Sequence, residues 1–585
     1  MLRVFRKICF VIVILFGINY NTSALEYNGR HGWPSIKAPK RLILCPTANT
    51  NSELMLLESL SGLAAQAVNE GRFDTMLWMD VGNYFGPSYE NLKQSSIEAL
   101  GITDIKQMTL DEIVILLKKK GVIKGYVRYT QDSPKANPYK TNPDTNYSSN
   151  VATIYASLLK GVLIDDELLD FAKKHKLKEL KDARFETTEE CFELNKDKLN
   201  NCSALSVPPS VHHMRDYAIA HKLMLYADQK EIIETVLEWV EPLSPILGWG
   251  CGDEYDFTSI IARWGHYNTA SNYCWNLPFL SSVGKKATIH KAKELGPDQI
   301  DFSDDSSFHS FIMSDGDNIQ WSMNNYGLAD IYMGNPDIDK VGLSWSVCPI
   351  NLSIVSPFTW NMMVDKQLPN FSFLEYGGGY QYPDIFASKR PNRLELVREF
   401  ARRINYHLQE LDIKIFGFIC FNVASAEAQE AFQIYAEEMP GLTGMIAIQY
   451  FPYELEGEVY WKTNKQGIDI PVATTRYCLW NEVNPYRPRA GVPEYIASLI
   501  NRDELVAQEK GLSTLSMTIS HAWSDYSETS RITPSPAIGF NPVKVTQEML
   551  LPNIKCVSVN ELLWRIRMKY RPEQTIQIIN SIKNE

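Results

Sequence analysis

From Phe308 onward, short apolar runs alternate with amphipathic stretches, and this alternation constrains the fold more than any other feature of the chain. Strand-like runs stand at 308–315, 341–348, 371–376, 413–421, 443–450, 470–477, 513–520 and 554–559. Helical periodicity lies between most of them, clearest from Arg393 to Gln409, Ala424 to Glu438 and Pro493 to Gln508, and again after the last run from Glu561 to Tyr570. Eight strand–helix alternations predict a (β/α)8 TIM-like barrel over residues 301–585. An open doubly wound sheet is the alternative. The count of eight favours the barrel, as does the lack of a phosphate-cradling glycine loop after any run. The connection between the second and third runs is short on helix, so the barrel is expected to be irregular.

The region before it, residues 25–300, reads as a further α/β region of one or two subdomains. Arg41 to Pro46, Thr75 to Asp80 and Gly125 to Tyr129 are strand-like, with helices from about Glu53 to Asn69 and Leu110 to Lys120. Ile164 to Ser244 reads as mostly helical, and Asp132 to Asn150 as an exposed loop. At the start, Arg3, Arg6 and Lys7 precede an apolar run from Ile8 to Ile18, and Thr22-Ser23-Ala24 offers small residues for cleavage. This is the layout of a signal peptide over residues 1–24, so the protein is expected to be exported, with an uncleaved anchor as the alternative. No later stretch is long and apolar enough to span a bilayer.

The formal net charge is −11, and loss of the basic leader would make the chain more acidic still. Such a surface disfavours nucleic acid as a partner and is compatible with a neutral substrate. Of the ten cysteines, Cys9 would leave with the leader. Cys191 with Cys202 and Cys251 with Cys274 could form disulfides, the alternative being free thiols.

In a barrel of this kind function sits at the C-terminal ends of the strands. Those ends carry Ser314-Asp315-Gly316-Asp317-Asn318, Glu375-Tyr376 followed by Tyr380, Asn422, Tyr450 and Glu454, Arg476 and Trp480, and His521, Trp523 and Asp525. Glycosidic cleavage needs one carboxylic acid to protonate the leaving oxygen and a second carboxylate to attack or to activate water. Asp315, Asp317 and Glu375 are the carboxylates best placed for this. Asp315 and Asp317 would share a face of an extended chain, although one of them could instead cap the next helix. Glu375 could instead pair with Arg476. Asn318, Tyr380, Asn422, Tyr450, Arg476, His521 and Trp523 are the candidate substrate-binding groups. Asp253, Glu254 and the aromatics from Trp249 to Trp275 could line a cleft between domains or form an aromatic interdomain core.

Gly377-Gly378-Gly379-Tyr380-Gln381-Tyr382-Pro383 matches GxGYxYP in full. With Ser314 to Asn318, it makes the chain resemble the GxGYxYP putative glycoside hydrolase family. The resemblance covers nearly all of the chain after the leader. It implies a barrel-like catalytic domain of distant glycosidase type behind a family-specific N-terminal region, with carbohydrate as substrate, but no established reaction. Two other readings stay open. A non-catalytic glycan-binding or scaffold protein would need the aromatics without converging carboxylates. A polysaccharide deacetylase would need paired histidines for its metal, and His212, His213, His221 and His309 lack that spacing. No cofactor or metal is expected, since HExxH, GxSxG and Walker motifs are absent from the sequence.

Overall fold

The computed structural model describes residues 32–584, apart from 134, 136, 141, 317, 452 and 482–486. The expected signal peptide therefore lies outside the described residues, as does Asp317. No helix among the described residues is long and apolar enough to cross a membrane.

Three small parallel sheets come first. Strands β1 (Arg41–Leu44), β2 (Thr75–Trp78) and β3 (Asp104–Gln107) lie in the order β2-β1-β3. Strands β4 (Gly125–Arg128), β5 (Gly161–Ile164) and β6 (Glu179–Asp182) lie in the order β5-β4-β6. Strands β7 (Ala204–Ser206), β8 (Met224–Tyr226), β9 (Pro245–Gly248) and β10 (Tyr267–Thr269) lie in the order β10-β9-β7-β8. Parallel neighbours need crossovers, and helices supply them. The helix Asn51–Asn69 is apolar around most of its circumference because it packs at once against β2, β5 and the helix Arg215–His221. The stretch read as mostly helical holds β6, β7 and β8 as well. Those strands are three or four residues long, too short to carry a two-residue period.

The large sheet is built from β11 (Ser307–Met313), β12 (Leu343–Val347), β13 (Phe373–Glu375), β14 (Ile415–Cys420), β15 (Gly444–Gln449), β16 (Val459–Thr463), β17 (Asp469–Thr474), β18 (Tyr477–Leu479), β19 (Ala490–Gly491), β20 (Leu515–Ser520) and β21 (Ile554–Cys556). Every strand-like run of the sequence is a strand here. The helices Arg393–Leu411, Ala426–Glu438, Pro493–Gln508 and Val559–Tyr570 also form where the periodicity placed them. Most of these strands are parallel and covered on both faces, which is why they read as continuous apolar runs.

The order is β16-β17-β15-β14-β13-β12-β11-β20-β18-β19, with β21 beside β11. β17 and β18 stand toward opposite ends of this order, yet only Thr475 and Arg476 separate them in the chain. The sheet therefore curls until one continuous segment serves both ends, pairing first with β15 and then with β20. The regular eight-strand ladder is not completed. β20 pairs with β11 from Phe308 to Met313, which fills the edge an eighth strand would need. β21 pairs instead with Ser307 to His309 on the opposite edge, below the part of β11 that holds β12.

The nine described cysteines are free thiols, so of the two open readings for Cys191 with Cys202 and Cys251 with Cys274 the unpaired one holds. Cys274 lies against Met323, and Cys251 against the carbonyl of Pro138.

Candidate active site

The C-terminal ends of the curled strands open on one cleft. Its lining comes from almost every strand in turn: Ser314 and Asp315 after β11, Ser346 of β12, Tyr376 after β13, Ile419 of β14, Ile448 of β15, Cys478 and Trp480 of and after β18, and Ile519 and His521 of and after β20. Tyr380 and Tyr453 reach in from loops. Glu254 is the one lining residue from the N-terminal region. Apolar Ile419, Ile448, Cys478 and Ile519 thus line the cleft together with polar groups and aromatic rings.

Asp315 is held upright by a tight backbone. Its φ is +63°, in the left-handed region that side chains rarely adopt. The next residue passes so close to β12 that a Cβ on Gly316 would fall 1.6 Å from the Ser346 carbonyl oxygen, so glycine alone fits. The Ser314 hydroxyl donates to Asp315 Oδ2 at 2.5 Å, and His521 Nε2 lies 3.8 Å from the same oxygen. His521 in turn accepts or donates at Nδ1 to Ser524 Oγ, 2.9 Å away. The imidazole lies over Trp480 with ring centres 3.8 Å apart, and Trp480 stacks on Tyr453 at 5.6 Å with 14° between planes. These three rings form one stack beside the carboxylate, with the Arg487 guanidinium 5.2 Å from the centre of the Trp480 ring and 5.9 Å from that of Tyr453. The Tyr453 hydroxyl is pushed well above its usual range, first by burial and then by the nearby charges of Glu254, Tyr450 and Asp315. Both carboxylates thus act on one phenol.

The glycine–tyrosine segment after β13 explains how Glu254 gets there. Tyr380 forms an antiparallel bridge with Asn268 of β10, with both N–H···O contacts at 3.0 Å. Gly379 has φ +142°, and a Cβ there would lie 1.9 Å from the Asn268 carbonyl oxygen. Thr269 Oγ1 donates to the Gly378 carbonyl at 2.7 Å, and Asn351 Nδ2 to the same oxygen at 2.6 Å. Tyr382 is buried, its hydroxyl 3.0 Å from Thr258 Oγ1 on the helix Glu254–Arg263. The motif is thus a clamp between the third small sheet and the large one. It fixes the start of that helix over the cleft, where Asp253 caps it by accepting from the Tyr255 N–H at 2.9 Å. Tyr380 completes the link, its hydroxyl donating to Glu254 Oε2 at 3.4 Å.

Two family models match the chain. The GxGYxYP putative glycoside hydrolase C-terminal domain matches residues 306–528, and the GxGYxYP third domain matches residues 200–282. The chain belongs to the GxGYxYP family. The second match falls on the third small sheet, the partner in the clamp. Among solved structures, a putative hydrolase from Bacteroides thetaiotaomicron VPI-5482 superposes with a TM-score of 0.74 at 19% identity, over 92% of this chain and 96% of that one. That likeness extends the shared fold through both halves of the molecule. A citrate-bound domain of unknown function from Bordetella bronchiseptica overlaps 74% of this chain and 94% of its own at 9% identity, but its TM-score of 0.13 is no likeness of fold. No curated protein matches the chain.

In this GxGYxYP protein the cleft gathers only part of what the sequence nominated. Asp315, Tyr380 and His521 line it. Glu375 does not. Tyr376, its neighbour in an extended strand, faces the cleft, so Glu375 points the other way. It is fully buried and accepts from the backbone N–H groups of Ile350 and Gly378, both at 2.9 Å. Burial pushes its carboxyl up to about 7 against the pull of those N–H groups and of Arg403. Its place is behind the clamp, holding the glycine turn. Arg476 pairs with Asp503 at 2.8 Å and Glu456 at 3.2 Å, not with Glu375. Asn318 is buried and ties its amide to the Asp315 carbonyl at 3.2 Å. Asn422 is an exposed turn residue. Tyr450 packs among Tyr255, Phe421 and Tyr453, and Trp523 against Trp321 and Tyr332, both outside the lining. Tyr453 was missed because it follows a strand end inside an irregular loop. Glu254 was legible only as part of an acidic, aromatic segment. The signal that marks it is its place just past β9, which aims the C-terminal edge of the third sheet at the same cleft.

Proposed function

We propose that this protein is an exported glycoside hydrolase that cleaves a glycosidic bond in the cleft at the C-terminal mouth of its curled sheet. The observation that carries this reading is Asp315. It stands on strained backbone beside the Tyr453–Trp480–His521 stack, at the place where barrel-like sheets carry chemistry. In this reading a carbohydrate ring lies against the Tyr453–Trp480–His521 stack and presents its anomeric carbon to Asp315. Cleavage proceeds by the two-carboxylate route, with Asp315 as one member. The family match and the hydrolase-type neighbour support the reaction class, and the basic, apolar leader supports export.

The test is a panel of oligosaccharides and aryl glycosides offered to the purified protein and to Asp315→Asn. Cleavage by the wild type that falls at least ~100-fold in the variant, at unchanged melting temperature, is the expected result. Glycan binding without cleavage anywhere on the panel would replace the hydrolase with a binding protein.

A further inference from the structure

Glycosidic hydrolysis by two carboxylates requires a partner for Asp315, and Glu375 is turned away from the cleft. We infer that the partner is Glu254, so that the catalytic pair is split between two domains and completed by the GxGYxYP clamp. The inference rests on the hydrolase reading above. Three observations carry it. Glu254 lines the same cleft as Asp315. Tyr453 lines that cleft with them, and both carboxylates help to raise its hydroxyl. The motif tyrosine Tyr380 donates to Glu254 Oε2 at 3.4 Å, so the motif that docks the domain also orients the acid.

The chemistry balances with water as the only co-reactant. One carboxyl gives its proton to the glycosidic oxygen as the bond from the anomeric carbon to that oxygen breaks, and the bond's electron pair stays on the departing oxygen. The other carboxylate either removes a proton from the attacking water or bonds to the anomeric carbon first and is then displaced by water. In both routes the water oxygen ends on the anomeric carbon; in the first its proton lands on the base and exchange with solvent resets the pair, and in the second the former acid removes that proton and is restored.

The experiment compares the full chain with Glu254→Gln and Asp315→Asn on two substrates of the same sugar, one with a dinitrophenyl leaving group and one with an unactivated alcohol, each with and without azide. If Glu254 is the acid, Glu254→Gln loses roughly 10²–10⁴-fold on the unactivated substrate and far less on the dinitrophenyl one. If it is the nucleophile or base, both substrates are lost and azide restores turnover as a glycosyl azide. A residue that only shapes the fold would lower both rates alike without rescue. That result overturns the inference, as does an active Glu254→Gln. Loss in Asp315→Asn with an unaffected Glu254→Gln would remove the inference and leave the hydrolase reading standing. An inactive wild type would remove both.

Discussion

Asp315 holds a left-handed backbone at a cost of about 1 kcal/mol for a residue with a Cβ. Replacing it with glycine should therefore abolish turnover without lowering the melting temperature, and calorimetry on Asp315→Gly checks this. A fall of several degrees would mean that the side chain is structural. Glu375 should behave in the opposite way. Its two oxygens accept two backbone N–H groups in the dark of the core, and a glutamine amide would set N–H against N–H at one of them. Glu375→Gln should cost roughly 1–3 kcal/mol of stability, read by urea denaturation, while kcat of the folded fraction stays near the wild-type value. The two residues sit at equivalent strand ends. The sequence could not separate them because strand ends are certain only to within a residue or two, and a shift of one residue exchanges inside for outside.

At the level of elements, the clamp between β10 and the segment after β13 depends on the absence of a side chain at residue 379. Gly379→Ala would drive a methyl group into the Asn268 carbonyl and should weaken the docking by about 1–3 kcal/mol. Hydrogen exchange should then show faster opening at the amides of Asn268 and Tyr380, with β11, β12 and β20 still protected. Equal loss of protection in all of them would mean global destabilisation and no separate clamp. The large sheet was legible strand by strand because its buried, parallel strands read as apolar runs between amphipathic helices. The third small sheet was less so, since β7, β8 and β10 are only three residues long. The parallel order from β11 through β15 to β17 follows the chain as the barrel pattern expected, but the way the sheet ends was not legible. Whether β21 or β20 takes the free edge of β11 depends on register, which leaves no periodic trace in the sequence.

For the molecule as a whole, buried titratable groups of two kinds oppose each other. Asp216 and Glu375 are held neutral by burial, their carboxyls raised to about 7, and Glu58 beside Asp216 is raised further. His221, His266 and His309 are also held neutral by burial, with the first and last lowered to about 3 and His266 to about 4. For the acids, the native state keeps protons that the unfolded chain releases between about pH 4.5 and 7, so their contribution to stability falls as pH rises through that window. For the histidines, the unfolded chain binds protons below about 6.5 that the native state refuses, so their contribution falls as pH drops from there toward 3. Buried Glu294 is raised in the same way as the acids and His212 and His213 are lowered like the other histidines, so the two slopes oppose each other between about pH 4.5 and 6.5 and stability should change little there, then fall below pH 4, where the ion-paired carboxylates of Asp304 and Asp337 are also protonated. Urea midpoints across this range test the balance. In Glu375→Gln one acid slope is gone, so the stability of the variant relative to wild type should rise from pH 4.5 to 7 by roughly 2–4 kcal/mol. A pH-independent difference would show that Glu375 ionises normally.

The curled sheet has no pair of hydrogen-bonded edges that meet to seal it. Its two ends are joined because β17 and β18 are a single length of chain that changes neighbours at Thr475 and Arg476. A seam of hydrogen bonds can part and reseal one rung at a time, but this junction is covalent, so the mouth of the sheet cannot gape by fraying. Loops can be lengthened, nicked or used as new termini at many points on such a molecule. A break between residues 474 and 477 is different in kind, because it would cut the one segment that ties the two sides of the curl together.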